Sequence, residues 1–241
     1  MGTLIPNPIL RGGLSLQAVD LASVRSRIAA AARRAGRRPD DVGIVAVTKG
    51  HPIERAREAA AAGLADLGEN RVQEALAKQA AWPDAPVRWH LLGHVQRNKA
   101  RQAVGRFALI HSLDSIRLAD ALEAAAGAAG LVQPVLVEVN VAREPQKSGA
   151  MPEEAPELVR HVAGLPHLRL EGLMAMAPYD APATVQHEVF GGLRTLRDGL
   201  ATPSAALAVL SMGMSADFEV AVEEGATLVR LGTVLFGERA S

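Results

Sequence analysis

The sequence contains no cysteine. Disulfides, thiolate nucleophiles and cysteine-ligated zinc are excluded together, and the absence fits a reducing compartment, so a cytoplasmic location is expected. Aromatic residues make up only 3% of the chain, which leaves few rings on which unpaired bases could stack. Neither sign of charge is in excess, since Lys+Arg and Asp+Glu each number 26. No global positive field therefore draws a phosphate backbone or an anionic lipid surface, and neither nucleic acid nor membrane is an expected partner. Nowhere do about 18 apolar residues run together, as a membrane-spanning helix requires. Residues 1–11 carry an apolar stretch broken by Pro6 and Pro8 with no basic start, which does not read as a secretory signal. The seven histidines show no HExxH or comparable ligand spacing, so no metal site is expected.

What the chain does have is 241 residues that are 49% hydrophobic, enough to bury a large core. The length is close to the roughly 250 residues typical of one (β/α)8 barrel. A single domain over residues 1–241 is expected, with residues 1–15 loose and a leading helix over 16–35 that stops at Gly36-Arg37-Arg38-Pro39. Short β-branched apolar runs then alternate with Ala-rich helical stretches, the pattern of parallel strands joined by crossover helices. The strand candidates are 42–47, 65–67, 87–92, 107–111, 135–139, 168–174, 207–210 and 227–231, the second being short. Pro152-Glu153-Glu154 suits a first helical turn, and Ser215 precedes a helix over 216–224. The Ala-rich stretch 119–129 reads as helix, and the basic run 33–38 reads as a solvated helix end. A doubly wound open sheet stays open as an alternative, because periodicity alone does not distinguish it from a closed barrel.

In a barrel the reactive residues sit where the strands end, and these ends are polar here. They read Val47-Thr48-Lys49-Gly50, Gly68-Glu69-Asn70, His90 to Gly93, His111-Ser112, Glu138-Val139-Asn140, Ser211-Met212-Gly213-Met214-Ser215 and Arg230-Leu231-Gly232-Thr233. Lys49 follows a buried-looking strand, where desolvation disfavours the ammonium and prepares an amine nucleophile for a Schiff base. A solvated lysine at a strand end is the plainer alternative. Ser211 to Ser215 offers two hydroxyls, a glycine and the start of a helix, and Gly232-Thr233 adds further N–H groups, so the two loops together suit a phosphate. Each loop alone is also an ordinary turn. Arg230 sits inside an apolar run, where a permanent charge needs a partner: a structural ion pair, or a ligand acceptor such as a pyridine nitrogen. His90 and His111 are equally well read as satisfied core groups, and Met174 and Met176 as packing residues.

Together these segments resemble the pyridoxal phosphate homeostasis protein family, also called the proline synthase co-transcribed homologue family. The motifs that carry the resemblance are Ala46-Val47-Thr48-Lys49, Gly68-Glu69-Asn70-Arg71-Val72-Gln73-Glu74, Trp89-His90-Leu91-Leu92-Gly93 and Gln146-Lys147-Ser148-Gly149. With them stand Leu210-Ser211-Met212-Gly213-Met214-Ser215-Ala216-Asp217 and Val229-Arg230-Leu231-Gly232-Thr233, which runs on to Phe236-Gly237. The match spans residues 28–239.

The resemblance implies an α/β fold, a single (β/α)8 barrel like the N-terminal barrel of alanine racemase. It implies pyridoxal 5'-phosphate (PLP) held as a Schiff base on Lys49, with the phosphate near Ser211, Gly232 and Thr233. Arg230 then lies against the pyridine nitrogen, Asn70 in the pocket, and Lys147 as a secondary contact. Gly50-His51, Arg71 and His94 depart from the usual family residues at the rim.

The expected function is a monomeric PLP carrier that buffers or delivers the cofactor to PLP-dependent apoenzymes, with amino acids as possible further ligands and no robust turnover. The rivals are a PLP-dependent amino-acid racemase-like enzyme, which needs a second acid/base group opposite Lys49, and a cofactor-free Schiff-base aldolase. Tyr179, the single tyrosine, is expected to be a loop residue.

Overall fold

The structure, a computed structural model, describes residues 21–202 and 206–238. The expected loose segment at 1–15 and the start of the leading helix lie outside the described residues. Eight parallel strands run β1 (Gly43–Val47), β2 (Asp66–Glu69), β3 (Arg88–Leu91), β4 (Leu109–Leu113), β5 (Gln133–Glu138), β6 (Leu168–Met174), β7 (Val209–Ser211) and β8 (Leu228–Leu231). They close in sequence order, because β8 pairs with β1 through Val45↔Arg230 and Ala46↔Leu231. That closure excludes the open doubly wound sheet.

The helices are α1 (Leu21–Arg34), α2 (Ile53–Ala61), α3 (Val72–Ala81), α4 (Ala100–Ala103), α5 (Ile116–Ala129), α6 (Ala155–Ala163), α7 (Ala183–Leu200), α8 (Phe218–Glu223) and α9 (Thr233–Phe236). Their boundaries have local causes. Ser115 caps α5 by accepting from the Leu118 N–H, and Gly130 ends it at φ 64°, where a side chain would be strained. In α6 the proline of the first turn is Pro156, not Pro152, because the 151–154 segment forms its own turn, with the Met151 N–H on the Glu154 carboxylate. Likewise α8 begins at Phe218 and not at 216. The Ser215 hydroxyl accepts instead from the N–H groups of Gly232 and Val234, at the far side of the β8 loop. Leu207 adopts φ 46°, so β7 starts two residues later than its apolar run. The basic run after α1 is not simply solvated: the Arg37 guanidinium donates to the carbonyls of Val222 and Ala226 and ties α1 to the end of α8.

Alternation along each strand sorts the residues into two sets. The outward set, with Ala46, Leu67, Leu91, Ile110, Val135, Val137, Leu173, Leu210, Val229 and Leu231, packs against the helices in the main core. The inward set forms a small apolar floor of Leu109, Leu136 and Met174, with Val209 and Leu228 packed on it. Two residues further along the same faces stand His111, Glu138, Ser211 and Arg230. Above its floor, these four strands therefore line the barrel interior with polar groups, while Met176 packs back onto the floor.

Candidate functional site

Strand pairing decides which of the expected residues meet. Val47 is opposite Gly68 on β2, and Ala46 opposite Leu231 on β8, so Asn70 and Lys49, two residues further along, and Gly232, one further along, follow each other around the rim. Ser211 and Leu228 bring β7 beside β8. Asn70, Lys49 and Gly232–Thr233 thus lie just past the ends of the consecutive strands β2, β1 and β8, while Arg230 and Ser211 lie within β8 and β7. Lys147 does not join this arc. It lies in the loop after β5, where its ammonium donates to the Ala177 carbonyl and pairs with Glu144.

Lys49 is half-buried at the end of β1. Its two neighbours are clamped by a buried cluster that sequence reasoning missed. Lys78, on α3, donates to the Thr48 carbonyl at 2.7 Å and to Glu69 at 2.6 Å, and also pairs with Glu74 at 3.1 Å. The Thr48 hydroxyl donates to Glu69 at 2.5 Å, and the Gly50 N–H to Glu74 at 2.6 Å. Burial pushes the Glu69 carboxyl up, against the pull of Lys78 and Thr48. The sequence held one signal for this cluster, the i,i+4 spacing of Glu74 and Lys78. Gly50 sits at φ 69°, so the glycine that departs from the usual family residue serves a left-handed turn.

Asn70 is held in place by a backbone approach. A Cβ at Gly93 would fall 2.3 Å from the Asn70 carbonyl oxygen, so only glycine fits there. On the other side of Lys49, the Gly232 and Val234 N–H groups converge on the Ser215 hydroxyl at 3.3 and 3.2 Å. A Cβ at Gly232 would meet nothing closer than the Val47 carbonyl at 3.5 Å, an ordinary contact. Packing within the chain does not demand glycine there, whereas a ligand approaching the backbone would.

Ser211 lies deeper than this loop. It is fully buried, and its hydroxyl meets Arg230 Nη1 and His111 Nδ1, each at 2.8 Å. The serine beside the convergent N–H groups is Ser215. Arg230 is buried as well, and its Nη2 donates to the Ala175 carbonyl at 3.0 Å. Burial lowers its pKa to about 10, opposed by the negative charges of Asp217 and Glu138. Glu138 is pushed up to about 7, by burial first and by Asp114 second, with Arg230 opposing. His90 and His111, read from sequence as equally well core groups, are both buried and joined to each other at 2.9 Å. Among the described residues, no group of three or more histidines and acids is placed to hold a metal ion, and no helix is long and apolar enough to cross a membrane.

The closed barrel of eight parallel strands behind a leading helix defines the fold class, and the comparisons place the chain within it. Residues 19–240 match the family described as alanine racemase, N-terminal domain. The pyridoxal phosphate homeostasis protein of Pseudomonas aeruginosa is 46% identical over 226 residues, covering 94% of this chain and 97% of that one. Among solved structures, PipY of Synechococcus elongatus without PLP is 42% identical, with a TM-score of 0.83 over 92% of this chain and 100% of that one. The same protein with PLP bound gives 40% identity and a TM-score of 0.78 over 89% of this chain and all of its own. The chain belongs to the pyridoxal phosphate homeostasis protein family.

Proposed function

We propose that this chain binds PLP through Lys49 and serves its intracellular homeostasis, holding and releasing the cofactor for apoenzymes in the cytoplasm. The observation that carries this reading is the arc at the ends of three consecutive strands: Lys49, after β1, stands between Asn70, just past β2, and the Gly232–Thr233 loop of β8, with Arg230 deeper on the same face. When bound, PLP supplies an aldehyde that amines take up reversibly and a ring that withdraws electrons from an attached carbon. The residues present fit it. Lys49 offers the amine for the aldehyde. The Ser215 hydroxyl, which accepts from the Gly232 and Val234 N–H groups and keeps its own proton to donate, faces the phosphate beside the uncrowded Gly232–Thr233 backbone, and this reading moves the phosphate from Ser211 to Ser215. Arg230 only donates, so it suits a ring nitrogen that accepts and carries no proton. Lys147 is a secondary contact reached from the opposite side of the mouth.

The test is an absorption spectrum of the purified protein, followed by borohydride reduction and peptide mass analysis. A yellow protein with the pyridoxyl group on Lys49 supports the reading, and a label mainly on Lys147 or Lys99 overturns it. A colourless protein trapped only in the presence of a sugar phosphate turns the reading to the aldolase.

A carrier in place of a turnover enzyme is supported by Tyr179, which is 86% exposed in the loop after β6 and so is not packed into the barrel mouth as an acid/base partner. A monomer is supported by the surface: among the described residues, Val132 and Tyr179 are the exposed large hydrophobics. One observation favours the racemase-like rival. Glu138, held near a pKa of about 7, is a buried acid/base candidate beside Arg230. Exchange of the amino-acid α-proton in deuterated water separates the two: the carrier exchanges slowly, whereas rapid exchange lost in Glu138→Gln establishes the enzyme.

A further inference from the structure

A chain of hydrogen bonds crosses the barrel interior from the N-terminal end of β2 to Arg230. Asp66 Oδ1 meets His90 Nε2 at 2.9 Å, His90 Nδ1 meets His111 Nε2 at 2.9 Å, and His111 Nδ1 meets the Ser211 hydroxyl at 2.8 Å. Ser211 in turn meets Arg230 at 2.8 Å. Its five members come from five strands, β2, β3, β4, β7 and β8.

The direction of every bond follows from its ends. A guanidinium has no acceptor, so Ser211 accepts from Arg230, and the hydroxyl's own proton, buried with His111 as its one other bonded neighbour, is satisfied by donating to His111 Nδ1. A neutral His111 then carries its proton on Nε2 and donates it to His90 Nδ1. His90 carries its proton on Nε2 and donates to Asp66, which ends the chain as a carboxylate. Both rings are neutral Nε2–H tautomers, and every bond has one donor and one acceptor. The environment agrees at both ends. Burial first, with the charge of Arg230 adding to it, holds His111 well below the usual histidine range, so that ring is neutral. Burial pushes Asp66 up, but hydrogen bonds from His90 and Arg88 outweigh it and hold the carboxyl well below its usual range. The reverse direction would place His111 Nδ1–H on Ser211 and require an imidazolium at His90 to face Asp66.

We infer that Asp66, His90, His111 and Ser211 are positioning residues for Arg230. The locked chain fixes one terminal guanidinium nitrogen while the Ala175 carbonyl fixes the other. The donor-only face of Arg230 is thereby set at one angle toward the ring nitrogen of a neutral heterocycle, and no proton is free in the chain to pass to that ring. This inference rests on the PLP reading for the identity of the ring, but the tautomers do not depend on it.

Nitrogen-resolved NMR of the imidazoles, assigned with His90→Gln and His111→Gln, reads the tautomers directly at neutral pH. Bare Nδ1 and protonated Nε2 on both rings are expected, and an imidazolium or an Nδ1–H tautomer on either overturns the chain. In the PLP-loaded protein, Ser211→Ala is expected to shift the visible band and speed PLP release about tenfold, the equivalent of one charge-assisted hydrogen bond. Ser211→Thr, which keeps the hydroxyl, is expected to restore both. Asp66→Ala is expected to shift the band in the same direction by less, from the far end of the chain. A band unmoved in both Ser211→Ala and Asp66→Ala, with the pyridoxyl label still on Lys49, leaves the PLP reading intact and removes this one. A wild-type protein that takes no label on Lys49 removes the PLP reading instead.

Discussion

Two regions of buried charge flank Lys49, and they are built in opposite ways. Outside the barrel wall, one ammonium, Lys78, gathers three acceptors within 3.1 Å: a carbonyl and two carboxylates. Inside the wall, one guanidinium, Arg230, opens a chain of single bonds that ends on a carboxylate three links beyond Ser211. The first is a compact point charge whose three protons are all used. The second spreads a cation and an anion across the barrel and fills the gap with neutral groups. The Lys78 cluster is closed but imperfect, since Glu69 Oε2 is buried without a partner. Its task is local, to hold the peptides on both sides of Lys49. The Arg230 chain acts at a distance and depends on correct closure of the whole barrel.

The largest effect expected from breaking the comparison is at Lys78. Lys78→Met leaves Glu69 charged and buried with no cation, so unfolding by urea should show a loss of about 3–5 kcal/mol. The double variant Lys78→Met/Glu69→Leu should recover much of it, because the stranded charge is removed with its partner. A single-variant loss below about 1 kcal/mol would mean that the cluster carries little of the local fold.

Glu138 sharpens the other side. Its folded pKa of about 7 lies above the ordinary 4.5, so the folded state holds this proton more tightly than the unfolded chain. Stability is therefore fully present below about pH 4.5 and falls as pH rises through about 7. Glu138→Gln should be more stable than the parent at pH 8, by on the order of 3 kcal/mol, and no more stable at pH 4. Parallel stability curves from pH 4 to 8 would show that Glu138 is solvated.

The contact of Gly93 on Asn70 joins the ends of β2 and β3 at the rim. Gly93→Ala forces the β2 and β3 ends apart, with an expected loss of about 1–3 kcal/mol in thermal unfolding and weaker PLP retention through displaced Asn70. The smallest effect is expected at the outer end of the interior chain. Arg88 pairs with Asp66 at 2.6 Å, but its side chain is 64% exposed. Arg88→Ala should change stability by less than about 1 kcal/mol, less still in high salt, and leave the His90 tautomer unchanged.

How much of this was legible in advance depends on the distance in sequence between cause and effect. The eight strands, the Lys49 strand end and the Gly232–Thr233 loop were readable, because period-two runs and glycine-rich ends are local signals. Lys78 was not, since a lysine on an amphipathic helix reads as a solvated residue until the helix is docked. His90 and His111 are 21 residues apart and carry no ligand spacing, so only the β3–β4 neighbourhood shows that they bond.

The sequence by itself determined the alternation of strand and helix, the absence of thiol and cysteine-metal chemistry, and the residues that stand at each strand end. Those follow from composition and from side chains alternating every second residue along a strand. Only the tertiary structure decided that Ser211 goes to Arg230 while Ser215 goes to the Gly232 loop, four residues apart on one segment. The physical reason is that one serine ends β7, with its side chain pointing into the barrel, while the other follows the left-handed turn at Gly213, φ 91°, which carries the chain over the rim. A Cβ at Gly213 would come within 2.5 Å of the Ala221 side chain. The backbone at that glycine thus divides two hydroxyls of one motif between the barrel's interior and its mouth.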